Sequence, residues 1–159
     1  MDDLREKSLL VIGVGNWYRS DDGVGLVVAR RLKAMNLPGI VVCEESGEGM
    51  ALMEAWVNAE HVAVIDAALS GSPPGTIHKL HADSMTIPYS FFHYSSHAFS
   101  VAEAVELARV LNSLPPRLTL YGIEGKNFGA GVGLTPEVDQ AAGDVVKEVI
   151  HTVATPASA

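Results

Sequence analysis

Hydrophobic residues follow two rhythms along this chain. Residues 8–14, "SLLVIGV", are apolar at nearly every position and rich in β-branched side chains, the pattern of a strand covered on both faces. Residues 61–69, "HVAVIDAAL", repeat it, and "IVVCE" (40–44) and "RLTLYGIEG" (117–125) read as further strands. Residues 76–82, "TIHKLHA", alternate polar and apolar positions instead, as an exposed or edge strand does. Between these runs the spacing becomes helical. Val24, Val27, Val28, Leu32 and Met35 form one stripe, stopped by "NLPG" at 36–39. A short helix is predicted over 50–57. A longer one carries Val101, Ala104, Val105, Ala108 and Leu111 behind a capping box of Ser100 and Glu103. Thr135, with Pro136 in the first turn, caps a last helix running to about Val153. Residues 83–96 carry no convincing period.

Strands alternating with helices predict an α/β protein: a three-layer α/β/α sandwich whose twisted, mostly parallel sheet of about five strands has helices on both faces. The 159 residues suit one domain over the whole chain, with flexible ends expected at 1–7 and 154–159. The composition, 48% hydrophobic and 19% charged, is that of a folded globular protein.

Charge and cysteine usage narrow the partners. The net charge is −8, and no basic run exceeds Arg30-Arg31, so no nucleic-acid partner is expected. The lone Cys43 cannot form an internal disulfide, and the start of the chain lacks a cleavable signal pattern. No apolar run approaches the roughly 20 residues that cross a bilayer. A soluble cytoplasmic protein without a membrane partner is the expectation.

Open α/β sheets build their sites outside the carboxyl ends of the strands. That rule selects "GVGNWYRSDDGVG" (13–25), Asp66 at the end of "HVAVID", and "HYSSH" (93–97). The first stretch is a poor phosphate cradle, because Trp17, Tyr18 and Arg19 separate its glycines and no GK[ST] ending follows. Asp21 and Asp22 at a helix start would repel a phosphate and welcome a cation; alternatively they only cap the helix, which one carboxylate could do. Asp66 interrupts an apolar strand, where an unpaired charge is costly, so it needs a cation, a proton or hydrogen-bond donors. His93 and His97 have i, i+4 spacing, but Ser95 and Ser96 lie between them where a helix should only be starting, so His97 is the stronger candidate. His61, His78, His81 and His151 read as solvated. Two carboxylates and an imidazole on separate loops would make an O, O, N set suited to a divalent transition ion. Cys43 within a strand, and the lack of a G-x-S-x-G elbow, argue against a covalent nucleophile.

The ordered combination "GVGNWYRSDDGVG", "VIDAAL", "SSHAFSVAEAVELA" and "LTLYGIEG…GVGLTPEV" resembles the hydrogenase maturation endopeptidases over residues 9–149. These enzymes remove a C-terminal extension from the large subunit of nickel-iron hydrogenases. The resemblance implies Asp22, Asp66 and His97 as nickel-associated positions, and Asp22 and Asp66 as catalytic. It also implies Asn16, Glu44, Gly47, Gly49 and His93 as substrate contacts, with nickel supplied by the substrate rather than held permanently. The chain departs from many relatives in carrying Glu44 and "SGEG" (46–49) for an Asp and Gly-Thr-Ala-Gly, and Asp22 where some have Glu. Two other readings remain open: a nucleotide- or small-anion-binding domain built on the Gly13 and Gly15 turn, and a general metallopeptidase with a resident metal.

Overall fold

A computed structural model describes residues 8–88 and 100–154. The elements run β1 (Leu9–Val14), a 3-10 turn (Ser20–Gly23), α1 (Val24–Met35), β2 (Ile40–Glu45), α2 (Gly49–Ala55), β3 (His61–Ala68), β4 (Ile77–His81), α3 (Val101–Val110), β5 (Arg117–Glu124) and α4 (Pro136–Ala154). The strands form one sheet in the order β2-β1-β3-β5-β4. All neighbours are parallel except the edge strand β4, which pairs antiparallel with β5. The expected α/β/α sandwich is thus the observed one.

Side-chain alternation divides the core between the two faces. Leu9, Val11, Ala63, Ile65, Tyr121 and Ile123 meet Val24, Val28 and Leu32 of α1 and the Val138–Val149 stripe of α4. Ile12, Val14, Val62, Val64, Leu118 and Leu120 meet Leu52, Trp56, and Val101, Ala104, Val105 and Ala108 of α3 on the other side. The near-continuous apolar runs of β1 and β3 follow from this: every second residue goes to a different helix layer.

Three local expectations shift. Met35 is exposed in the last turn of α1, while Leu26 and Ala29 are buried beside the predicted stripe. That helix closes at Asn36 in the left-handed conformation, φ 49°. Ser100 sits at the N-cap of α3 without a side-chain cap bond. Thr135 stands just ahead of α4, but its hydroxyl is used elsewhere, as described below.

Candidate active site

The turn after β1 is pressed against the sheet by two glycines. A Cβ at Gly25 would overlap the carbonyls of Ile65 and Val14, and one at Gly13 would overlap the Gly25 carbonyl and the Ala29 side chain. Glycine there lets the first turn of α1 lie directly on β1 and β3. In the parallel β1–β3 register Gly13 pairs with Ile65, so Asp66 emerges at the carboxyl edge beside the turn that carries Asp22.

The glycine turn is not a phosphate cradle. The N–H groups of Gly15, Asn16, Tyr18, Arg19, Ser20, Asp21 and Asp22 all donate inside the protein: to Glu45 O, Asp22 O, Asn16 Oδ1, Asn16 O, Gly131 O, Asn127 O and Arg19 O respectively. Such a cradle needs these donors turned toward a ligand. The close spacing of Gly13, Gly15 and Gly25 is accounted for by packing instead.

Asp66 and Asp22 form an electrostatic pair. Burial, followed by the nearby Asp22 charge, pushes the Asp66 carboxyl well above the ordinary carboxylate range. Its opposing contact is a hydrogen bond from the Ala67 N–H to Oδ1 at 2.8 Å. Burial raises the Asp22 carboxyl as well, opposed by the Arg19 charge and the Asn16 N–H. Among the described residues one donor, the Ala67 N–H, meets the need inferred for Asp66, and burial raises the affinity of its carboxylate for a proton.

Asp21 faces the other way. Its Oδ2 accepts from the N–H groups of Lys126 and Asn127, both at 2.9 Å, and from the Thr135 hydroxyl at 2.9 Å; its Oδ1 accepts from the Thr135 N–H at 2.8 Å. Burial pushes this carboxyl up, but the donors outweigh it and hold it below the ordinary value. Asp21 therefore fastens the β5–α4 loop to the first motif, helped by Ser20 Oγ donating to Gly129 O at 2.9 Å. The helix-capping alternative fails for both aspartates, since Gly23 is the N-cap of α1 and no side chain caps it.

The remaining candidates separate. Asn16 contributes a turn, its Oδ1 accepting from the Tyr18 N–H, and its own N–H lies near the Asp22 carboxyl. Glu44 pairs with Arg30 at 3.1 Å, and Arg30 stacks 4.1 Å over the Trp17 ring. Gly47 adopts φ +97° with Val14 beneath it, and Gly49 opens α2; both are buried. His93 and His97 lie outside the described residues. The Cys43 thiol is pushed up by burial and then by Glu45 and Glu44, which disfavours the thiolate a nucleophile needs.

Sequence reasoning missed a buried cluster beside this edge. His78 is mostly buried, not solvated: its Nε2 lies 3.2 Å from Glu124 Oε1 and 3.4 Å from Ser70 Oγ. Ser70 donates to Glu124 through its N–H at 2.8 Å and its hydroxyl at 2.5 Å. Asp66, Gly122 and His78 share one row across β3, β5 and β4. The signal was present only as the alternation of "TIHKLHA", which puts His78 on the same face as Leu80.

Among the described residues, no three His, Cys, Asp or Glu side chains converge as a metal-binding group. Asp22 and Asp66 offer two oxygen donors whose shared desolvation and mutual repulsion a cation would relieve. Among the described residues, too, no helix is long and apolar enough to cross a membrane.

Comparison with known proteins agrees with this architecture. A family model described as hydrogenase maturation protease (HycI) matches residues 26–152. The hydrogenase 2 maturation protease of Escherichia coli K12 is 29% identical over 146 residues, covering 89% of this chain and 88% of the relative. A putative hydrogenase maturation protease of Methanocaldococcus jannaschii is 28% identical over 156 residues, covering 94% and 99%. Among solved structures, the hydrogenase maturating endopeptidase HybD from E. coli superimposes with a TM-score of 0.75 at 22% identity, covering 92% of this chain and 91% of that one. The maturation protease HycI from Thermococcus kodakarensis gives 0.69 at 18% identity, covering 94% of each.

Proposed function

This chain belongs to the hydrogenase maturation protease family, and from that premise we propose that it removes a C-terminal extension from the large-subunit precursor of a nickel-iron hydrogenase after nickel has been inserted. The observation that supports the reading most directly is the Asp22–Asp66 pair, in which burial and like charge keep Asp66 well above its ordinary range. Such a pair resists losing both protons until a cation arrives, and then gains from doing so.

In this reading the nickel belongs to the substrate. Asp22 and Asp66 add oxygen ligands to an ion still partly held by the precursor, and His97 supplies an imidazole nitrogen. An advantage of about 2–3 kcal/mol for the loaded precursor separates loaded from empty by roughly 30- to 150-fold. Asp22, opposed by Arg19 and therefore the readier of the two to ionise, takes the proton of the attacking water as the new C–O bond forms. It returns that proton to the amide nitrogen as the C–N bond breaks.

The test is to mix the protein with precursor large subunit, with and without nickel, and follow its mass. The extension should be lost from the nickel-loaded form with wild-type protein and retained with Asp66→Asn. Persistence of full-length, nickel-loaded precursor with wild-type protein overturns the proposal.

A further inference from the structure

A cavity lies at the pole of the sheet opposite the carboxylate pair, where β1, β3 and β5 begin. It encloses about 270 Å³ between His61, Lys79, His81, Asp83, Arg117 and Thr119, with Leu9, Ala63, Tyr121 and Val149 behind them. His61 stands five residues before Asp66 on β3, roughly 17 Å along the strand, so this cavity is separate from the carboxylate pair.

The register explains its shape. Ala63, Thr119 and His81 form one row across β3, β5 and β4, and His61 pairs with Arg117 one step earlier. Small side chains at 63 and 119 leave a hollow, and the basic groups stand around it. The back wall is apolar and the mouth polar, as in small-molecule sites.

At the mouth Lys79 and Arg117 stand against Asp83, with Glu148 paired to Lys79, so its charge is close to balanced in a chain whose net charge is −8. Two of the polar groups are already engaged: Lys79 pairs with Glu148 at 2.8 Å, and one Asp83 oxygen accepts the Leu118 N–H at 2.9 Å. Among the described residues Arg117 has no carboxylate partner within ion-pair distance. Burial, then the Arg117 charge, lowers the His61 imidazole, with Asp83 opposing. An anion at the mouth would reverse that balance.

We propose that this cavity binds a small oxyanion, carboxylate or phosphate, carried on a short apolar body. The Arg117 guanidinium provides the charged fork for the oxyanion, His61 and His81 provide further donors, and the body rests against Leu9, Ala63 and Val149. Binding strengthens as pH falls through the histidine range, because the anion favours the protonated His61 imidazole. The charged and titratable groups facing it are Arg117 from β5, His81 from β4, Lys79 from β4 backed by Glu148 from α4, Asp83 after β4, and the Tyr121 phenol.

The experiment titrates the intact protein with butyrate and, separately, butyl phosphate at fixed ionic strength, following the His61 and His81 imidazole resonances. n-Butanol and chloride serve as controls. Saturable millimolar shifts with either oxyanion, and an upward move of the His61 titration, are expected; the stronger of the two probes identifies the head group. Arg117→Gln should weaken binding at least about tenfold, equivalent to about 1.4 kcal/mol, while Arg117→Lys retains part of it. His81→Gln gives an independent second variant. Shifts that chloride or butanol reproduce, shifts that never saturate, or unchanged affinity in a folded Arg117→Gln protein overturn the proposal.

Discussion

Thr135 gives both of its donors to Asp21, the N–H to Oδ1 at 2.8 Å and the hydroxyl to Oδ2 at 2.9 Å. With the Lys126 and Asn127 N–H groups on Oδ2 as well, one carboxylate ties the start of α4 and the loop before it to the turn after β1. The neighbouring Asp22 faces Asp66. Two adjacent and chemically identical residues thus serve different ends.

Asp21→Ala should therefore act on stability. Removing the acceptor leaves three backbone donors without their partner, at about 3 kcal/mol, or a fall in melting temperature of roughly 10 °C for a chain of this size. Thermal unfolding by circular dichroism measures it, alongside cleavage per folded molecule at a temperature where both proteins are native. A melting temperature within error of wild type would show that the loop is held by other contacts.

The partners that give Asp21 its structural role could not be read from the sequence, because they lie more than a hundred residues downstream in a loop with no period of its own. The strands were legible because burial on both faces writes itself as consecutive apolar residues, and Asp66 stood out as the exception in such a run. His78 was misread for the same kind of reason: alternation correctly marked an edge strand, but only the β4–β5 pairing brings buried Glu124 beside it. The pairing of Glu44 with Arg30 was not legible either, because it depends on how α1 lies against the edge strand β2.

Asp66→Asn should abolish cleavage while leaving the melting temperature unchanged or raised. The wild-type carboxyl is disfavoured by burial and by Asp22, and a neutral amide of the same shape removes both penalties. A large loss of stability in this variant would mean that Asp66 is a structural group.

Gly25→Ala tests how the pair is positioned. The added methyl would run into the Ile65 and Val14 carbonyls, backbone atoms that cannot turn aside, so α1 must lift from the sheet and carry Asp22 with it. We expect destabilisation of about 2–3 kcal/mol in urea unfolding, together with reduced cleavage. Wild-type values for both would show that the close approach is not required.

His61 makes a pH-dependent contribution to stability. Its imidazole is lowered in the folded state, chiefly by burial, so on acidification the unfolded chain takes up its proton first. Stability from this group is fully present above the ordinary histidine value of about 6.5 and is lost as pH falls from there through the lowered folded value. Urea unfolding on either side of that window should show a slope that His61→Gln reduces. An unchanged slope in the variant would assign the pH dependence to other groups.

Events at the Asp22–Asp66 edge should follow a fixed order, nickel loading before cleavage. If the two carboxylates complete the coordination of an ion that the precursor already carries, neither half of the ligand set is sufficient alone. Nickel should bind the isolated protein weakly, because burial and Asp22 raise the proton affinity of Asp66, with which the ion competes, and the ion gains few ligands in exchange. Metal-free precursor should resist cleavage even with the protein in excess, and restoring nickel to that precursor should restore cleavage. Calorimetry of the isolated protein against nickel tests the first half, and mass measurement on chelator-treated and reloaded precursor tests the second. Efficient cutting of the metal-free precursor would sink the sensing role while leaving a peptidase whose carboxylates act on water directly. Tight stoichiometric binding to the isolated protein would point instead to a resident metal.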